Sequence, residues 1–280
     1  MKYALIDIGG GMRDAFGTGV TDYLLDENIS IKCCIGVSAG ASNLANYISG
    51  QRGRGLRFYD TYPNRKEYMG FWQLIRHGSF LNMKYIYEDI SFPGKEDPFD
   101  IASYTASDQD LTLVATEALS GKPVYFPKSS LAPFEMRAIE ASCTIPVLCR
   151  PTIIDDIPYF DGGVSDPIPY RKAFDMGAER IIVVITKRRD DFRNPGKDRK
   201  AVFFLSRKYP ECAKALELRA ATYNRQLRDV IELEKEGKAL LIAPDDTFGV
   251  TTTKHRREDV RKLYRHGYEK AGLIKDFIKG

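Results

Sequence analysis

The first fifty residues repeat one pattern twice: a short apolar strand, a turn that contains glycine, and a helix. We expect the first strand over residues 3–8 and its helix over residues 14–26. The second strand is expected over residues 33–37 and its helix over residues 39–49. Strands and helices that alternate at this short period are typical of α/β architecture with parallel strands. The sequence therefore predicts an α/β fold.

Further elements follow along the chain, although less regularly. The expected strands cover residues 111–116, 124–126, 158–160, 181–186 and 239–243. The expected helices cover residues 133–143, 171–176, 210–236 and 257–278, the last with an amphipathic pattern. We find no internal repeat and no linker rich in proline or serine that would separate two domains.

Composition and cysteine usage exclude several classes of protein. Hydrophobic residues make up 43% of the chain, which is enough for a real core and excludes global disorder. Five cysteines are an odd number without a CxxC pair, so a disulfide framework and a structural zinc site are not expected. The N-terminal apolar run is short and broken by Asp7, unlike a signal peptide. These features predict a cytoplasmic protein.

Net charge is small, but basic residues cluster in two segments. The chain has 42 Lys and Arg against 38 Asp and Glu, a surplus of +4. Residues 187–200 hold seven basic against three acidic residues, and residues 254–280 hold nine against four. Such segments attract anionic partners, or they form solvated surfaces with no specific partner. Peripheral contact of the C-terminal helix with anionic membrane is therefore a hypothesis, and a nucleic-acid partner is not expected.

The sharpest motif is Gly36-Val37-Ser38-Ala39-Gly40, which matches G-x-S-x-G between an expected strand and an expected helix. A serine on such a tight turn has a strained backbone, and glycine neighbours remove the Cβ atoms that would clash. The turn also places the hydroxyl at a helix N-terminus, where negative charge is favoured. Ser38 is therefore the candidate nucleophile, with Gly36 and Gly40 as the elbow glycines.

A glycine-rich loop follows the first strand: Gly9-Gly10-Gly11-Met12-Arg13. Exposed backbone amides at the end of a strand bind an anion or a developing oxyanion. The dinucleotide pattern G-x-G-x-x-G fails because Asp14 occupies its last glycine position, and no G-x-x-x-x-G-K-[ST] occurs. The loop is thus better suited to an oxyanion hole than to a nucleotide. A plain turn that needs positive φ remains the alternative.

The third motif, Asp161-Gly162-Gly163, follows another expected strand. A serine nucleophile needs a base, which is commonly histidine. The chain has three histidines, and none stands at the end of an expected strand: His77, His255 and His266. Asp161 does stand there, so we expect a Ser–Asp dyad in which the carboxylate is the base. Only one strand precedes the strand of Ser38, which is also unlike an α/β-hydrolase.

Taken in order, these three motifs resemble the signature of the patatin-like phospholipases, most closely the bacterial patatin-like serine esterases. The resemblance implies a single-domain, three-layer α/β/α fold with a mainly parallel central sheet. It also implies acyl-ester hydrolysis by Ser38 and Asp161, with a lipid or other acyl ester as substrate and with no metal or organic cofactor. Residues 1–186 would form the catalytic core, and residues 187–280 a helical extension with one further strand on the same domain. Asp14 departs from the pattern, because glycine commonly follows the Lys or Arg.

Several alternatives remain open at this level. The same acyl-enzyme would serve an acyltransferase, which passes the acyl group to an acceptor other than water. A non-catalytic lipid-binding scaffold and an anion- or nucleotide-binding module are further possibilities. The aromatic segment from Tyr59 to Phe92 is expected to line an acyl pocket, form a lid or belong to the core. A carboxylate at Asp14 would either weaken the oxyanion loop or pair with Arg13.

Overall fold

A computed structural model of the chain describes residues 2–131 and 135–279. Within these residues eight strands form one sheet, flanked by helices on both faces. The strands are β1 Tyr3–Asp7, β2 Cys33–Val37, β3 Asp110–Glu117, β4 Pro123–Pro127, β5 Thr152–Ile154, β6 Ile157–Asp161, β7 Arg180–Val184 and β8 Ala239–Ile242. The helices are α1 Ala15–Asp26, α2 Ala39–Ile48, α3 Arg54–Asp60, α4 Phe71–His77, α5 Ile101–Ala106, α6 Arg137–Cys143, α7 Tyr170–Asp175, α8 Arg199–Leu205, α9 Pro210–Lys235, α10 Arg257–Lys270 and α11 Gly272–Lys279.

The centre of the sheet is parallel, and one side of it is antiparallel. The strand order is β5-β6-β3-β2-β1-β7-β8, with β4 also paired to β3. Five adjacent strands run parallel to one another: β3, β2, β1, β7 and β8. The pairs β3–β4, β3–β6 and β5–β6 are antiparallel. The expected mainly parallel sheet is confirmed.

The two faces of the sheet pack against different helices because side chains alternate along a strand. In β1, Leu5 packs in the core that contains apolar residues of α1, α2 and α10. Its neighbours Ala4 and Ile6 pack in the core that contains apolar residues of α7 and α9. Both cores are buried, which explains why the central strands are apolar at nearly every position. The three-layer arrangement is confirmed.

The C-terminal part of the chain is built into this same sandwich. Strand β8 pairs in parallel with β7, α9 covers one face of the sheet, and α10 packs directly on α1. The expected helix over residues 257–278 is divided in two, α10 and α11, on either side of Ala271. The helix expected over residues 133–143 begins at Arg137, and residues 133 and 134 lie outside the described part of the chain.

Two further observations bear on the sequence predictions. None of the helices in residues 2–131 and 135–279 is both long and apolar enough to span a bilayer. The five cysteines are all free thiols.

Candidate active site

Ser38 lies in the turn between β2 and α2, with φ 55° and ψ −133°. A non-glycine residue rarely adopts this conformation, so the surrounding structure must enforce it. A Cβ atom at Gly36 would lie 2.5 Å from the Ala41 Cα, and one at Gly40 would lie 2.3 Å from the Asp7 carbonyl oxygen. Both flanking glycines are therefore required by close backbone packing, as expected for a nucleophile elbow.

The pairing of strands on one edge of β3 brings Asp161 to Ser38. On that edge, β2 pairs as far as Val37 opposite Val114, and β6 continues with Asp161 opposite Ala115. Strand β4 occupies the other edge of β3 over the same residues, so β2 and β6 must meet end to end. Residues far apart in the sequence thus become neighbours at one junction of the sheet.

The glycines after Asp161 permit this junction. A Cβ atom at Gly162 would lie 2.2 Å from the carbonyl oxygen of Val114, so only glycine lets the chain pass so close to β3. The amide of Gly163 donates a hydrogen bond of 2.8 Å to the Asp161 carboxylate. The Asp-Gly-Gly motif therefore both turns the backbone and fixes the carboxylate.

The Ser38 side chain lies close enough to the Asp161 carboxylate to influence its pKa. Burial raises the pKa of Asp161 above its ordinary value, and the hydrogen bonds from Ser38 and the Gly163 amide lower it only in part. The positive charges of Arg219 and Arg193 act in the same lowering direction. The result is a carboxylate that is more basic than an exposed aspartate.

The glycine-rich loop presents fewer free amides than its sequence suggests. Gly9, Gly10 and Gly11 all have positive φ, at 66°, 150° and 61°. The Gly9 amide donates to the Asp7 carboxylate at 3.1 Å, and the Met12 amide donates to the carbonyl oxygen of Thr252 at 3.1 Å. The expectation that Met12 offers a free amide is therefore wrong, since a loop of the C-terminal segment occupies that donor.

Three amides beside Ser38 have no acceptor within the described residues: those of Gly10, Gly11 and Ala39. Ala39 is the first residue of α2, where no intrahelical acceptor exists. A Cβ atom at Gly9 would lie 2.9 Å from the Ala39 nitrogen, so the loop and the helix start are in direct contact. The Ala39 amide is absent from the predicted oxyanion hole. Its position directly after the elbow serine is the sequence signal that indicates such a donor.

In the described part of the chain, the carboxyl of Asp14 lies against that of Asp7 and does not form the expected ion pair with Arg13. Its carboxyl is fully buried and converges with that of Asp7 over Gly17, where a Cβ atom would lie 2.4 Å and 2.5 Å from their oxygens. Burial raises the pKa of Asp7 to about 6 and that of Asp14 well above its usual range, and the charge of Asp7 raises the pKa of Asp14 further. Protonation of Asp14 is therefore favoured relative to an exposed aspartate. Arg13, the last residue of the motif, is half-buried, and no ion pair with Asp14 forms.

A narrow cavity of about 100 Å³ opens beside Ser38. Gly11 and Met12 line it at the glycine loop, and its remaining wall is largely apolar and aromatic. Part of the aromatic segment contributes here, since Tyr59, Tyr68 and Tyr87 are lining residues. An apolar cavity that starts at a serine is suited to an acyl chain.

None of the three histidines lines this cavity in the part of the chain that the structure describes. His266 accepts a hydrogen bond of 3.1 Å from the Asp245 amide and packs against Phe16. His77 ends α4, and His255 lies in the loop before α10. Asp161 therefore remains the candidate base.

The fold and the serine turn together define an α/β protein with a nucleophile elbow at the end of a parallel strand. A family model described as "Patatin-like phospholipase" matches residues 9–174, which is more than half of the chain. The chain therefore belongs to the patatin-like phospholipase family. Residues 209–275 match a second family model, described as "Domain of unknown function (DUF6363)".

The proteins that are similar to this chain include one from Escherichia coli and one from Legionella pneumophila. The "Uncharacterized protein YjjU" of Escherichia coli (strain K12) is 27% identical over 187 residues, which cover 66% of this chain and 52% of YjjU. The chain thus spans about half the length of this relative. The crystal structure of VipD from Legionella pneumophila superposes with a TM-score of 0.52 at 14% identity, covering 98% of this chain and 67% of VipD. That similarity shows the fold.

Proposed function

We propose that this protein is a serine acyl hydrolase that cleaves carboxylic esters of lipids with a Ser38–Asp161 dyad. Membership of the patatin-like phospholipases supports lipid acyl hydrolysis in general. The observation that carries the finer proposal is the end-to-end junction of β2 and β6 on one edge of β3. The proposal is supported by the strained backbone of Ser38, by the raised pKa of Asp161 and by the apolar cavity that Ser38 lines.

In the proposed mechanism, Asp161 accepts the proton of the Ser38 hydroxyl as the oxygen attacks the acyl carbonyl carbon. The carbonyl oxygen becomes an oxyanion, which accepts hydrogen bonds from the free amides of Gly10, Gly11 and Ala39. When the tetrahedral intermediate collapses, the alcohol leaves with the proton from Asp161. Water then attacks the acyl-enzyme with Asp161 again as base, which releases the fatty acid and restores the serine.

The cavity supports an ester with an apolar acyl chain as the substrate class. Its wall combines aromatic and aliphatic side chains around a few polar groups, such as Ser42 and Asn43. Such a lining favours burial of hydrocarbon. Phospholipids, lysophospholipids and glycerides all carry this acyl ester.

The first test compares turnover of a short-chain nitrophenyl ester by wild type, Ser38→Ala and Asp161→Asn. We expect each variant to lose roughly 10⁴-fold or more in kcat/KM, because nucleophile and base act as a unit. Asp156→Asn, in the exposed positive-φ turn between β5 and β6, is the matched control and should retain wild-type turnover. Near-normal activity of either dyad variant, with unfolding curves like wild type, would contradict the proposal.

Covalent labelling by a fluorophosphonate tests the nucleophile independently of any substrate. Wild type should be labelled and Ser38→Ala should not, whereas Ser49→Ala, at the other end of α2, should be labelled like wild type. Labelling that persists in Ser38→Ala would assign the nucleophile to another residue.

A further inference from the structure

Residues 69–81 form a flap whose base belongs to the wall of the cavity. Met69 and Leu81 pair in an antiparallel bridge at this base, and the Gly70 amide donates to the Phe80 carbonyl oxygen at 2.9 Å. Both Met69 and Leu81 line the cavity that begins at Ser38. The flap carries helix α4 beyond the bridge. Whatever contacts α4 is therefore brought next to the cavity.

The outer face of α4 is apolar and open to solvent. Phe71, Trp72 and Ile75 are 69%, 73% and 59% exposed, and they share one face because helical residues three to four apart are neighbours. The inner face is anchored instead: Gln73 is buried, and its Nε2 donates to the Lys66 carbonyl oxygen at 2.8 Å. Three adjacent large apolar side chains in water are typical of an interaction surface.

The surroundings of this face are basic. A groove beside α4 is lined by Arg76, Lys84 and Arg150, none of which forms an ion pair within the described residues. Asp89 and Glu140 also line the groove and offset part of this positive charge, and burial raises the pKa of Glu140 to about 7. The groove shares Leu81 and Met83 with the cavity of Ser38. Cationic charge around an apolar face is complementary to an anionic lipid surface.

The basic C-terminal helices are less suited to contact an anionic lipid surface, because most of their basic side chains already form ion pairs with acidic residues of the protein. In α10, Arg257 and Arg261 pair with the buried Asp60, and Lys270 pairs with Asp245. In α11, Lys275 pairs with Glu27.

We propose that the face of α4 formed by Phe71, Trp72 and Ile75 docks on a bilayer that contains anionic phospholipid. Arg76, Lys84 and Arg150 would lie against the headgroups, and the groove would lead from the bilayer to Ser38. The purpose of docking rests on the proposed lipid hydrolase function. The binding itself does not require Ser38, so the two proposals fail separately.

The test uses the full chain with Ser38→Ala, which prevents hydrolysis of the vesicles. Trp72 is the only tryptophan in the chain, so its fluorescence reports on the docking face alone. We expect its emission to shift to shorter wavelength with phosphatidylcholine–phosphatidylserine vesicles. The shift should weaken with phosphatidylcholine alone and at high salt, because the charged contribution is screened. No shift and no cosedimentation with anionic vesicles at low salt would overturn the proposal.

Substitutions at the other face residues make the test specific. Phe71→Ser with Ile75→Ser keeps Trp72 and should weaken vesicle binding by at least about tenfold. Phe203→Ser with Phe204→Ser is the matched control, since these side chains on α8 are 58% and 56% exposed, and it should bind like the parent. An equal loss in both double variants would contradict docking through α4. A concentration-dependent shift without vesicles would instead assign the face to self-association and overturn the proposal.

Discussion

At the scale of single residues, the conformation of Ser38 is maintained by a contact that lies outside the motif. Its amide donates a hydrogen bond of 2.9 Å to the Ser142 hydroxyl, which in turn donates to the Val114 carbonyl oxygen at 2.7 Å. A residue with such dihedral angles costs on the order of 1–3 kcal/mol, so the surrounding contacts must offset that strain. Ser142 therefore links the turn, helix α6 and strand β3 in one rigid unit.

At this scale, the role of the Gly10 amide as an oxyanion donor can be tested by substitution. A Cβ atom there would lie 2.1 Å from the Thr186 Oγ1, and φ is 150°, so Gly10→Ala must displace the loop. We expect kcat for a nitrophenyl ester to fall by about 10²–10³-fold, as when one oxyanion donor is lost. Gly50→Ala is the control: its φ is 70° with no atom within 4 Å of the new Cβ, so it should cost about 1–2 kcal/mol of stability but no activity. If Gly10→Ala and Gly50→Ala were equally active, the glycine-rich loop would have no role in catalysis.

The raised pKa of Asp161 predicts the pH dependence of turnover. A protonated carboxyl cannot accept the serine proton, so activity is lost as pH falls through that pKa. We therefore expect the acidic limb of kcat/KM to lie above the ordinary aspartate value of about 3.9, because burial outweighs the hydrogen bonds from Ser38 and Gly163. A pH–rate profile of ester hydrolysis measures this. An acidic limb at or below the ordinary value would contradict Asp161 as the buried base.

At the scale of elements, helix α2 connects the nucleophile to the cavity. Ser42 lies four residues after Ser38, which places it on the same side of the helix one turn away, and it lines the cavity. Its hydroxyl is 2.8 Å from the Tyr87 hydroxyl across the cavity wall. The helix thus fixes one wall of the space that an acyl chain would fill.

We therefore expect Ser42→Leu to shorten the acyl chain that the enzyme accepts. The larger side chain would fill the cavity about 6 Å from the nucleophile, since one helical turn rises about 5.4 Å. Turnover of a nitrophenyl acetate should persist, whereas turnover of a nitrophenyl octanoate should fall at least tenfold, roughly the effect of removing a few buried methylenes. The ratio of the two kcat/KM values is the measurement, and an unchanged ratio would mean that the chain binds elsewhere.

Most of the longer elements follow from local sequence patterns, but the short helices α3, α5 and α8, the strand β5 and the division between α10 and α11 do not. The strand β5 was not expected, because three residues carry too little pattern to be distinguished from a loop. The division between α10 and α11 was also missed, although Gly272 begins the second helix and glycine weakens a helix interior. Short runs of consecutive apolar residues, by contrast, located the central strands closely, because both faces of these strands are buried.

At the scale of the whole molecule, two glycines allow helix α10 to pack closely against α1. A Cβ atom at Gly19 would lie 2.0 Å from the Tyr264 carbonyl oxygen, and one at Gly267 would lie 2.0 Å from the Phe16 carbonyl oxygen. The backbones therefore touch, and apolar residues of both helices share one core. The division into a core of residues 1–186 and an extension of residues 187–280 stays a prediction. We propose that the two parts unfold together.

Gly267→Ala tests this contact. Alanine favours a helix over glycine by about 1 kcal/mol, yet here it should destabilise the protein by roughly 1–3 kcal/mol, because the new methyl group separates two packed helices. Gly272→Ala, in the neighbouring helix α11, meets only the Tyr23 hydroxyl at 3.8 Å and should be neutral or stabilising. Urea denaturation measures both. A single transition that moves to lower urea in Gly267→Ala supports one cooperative unit, whereas two separate transitions would contradict it.

The amino-acid sequence by itself determined the α/β class, the elbow serine and the candidate aspartate, because each depends on a local pattern of strand, turn and helix. It left undecided which loop amides are free, since the donor of Met12 is occupied by Thr252, 240 positions along the chain. It also left undecided the direction in which the pKa of Asp14 shifts, which depends on burial beside Asp7. These properties arise from contacts between distant segments, and only the folded chain brings those segments together.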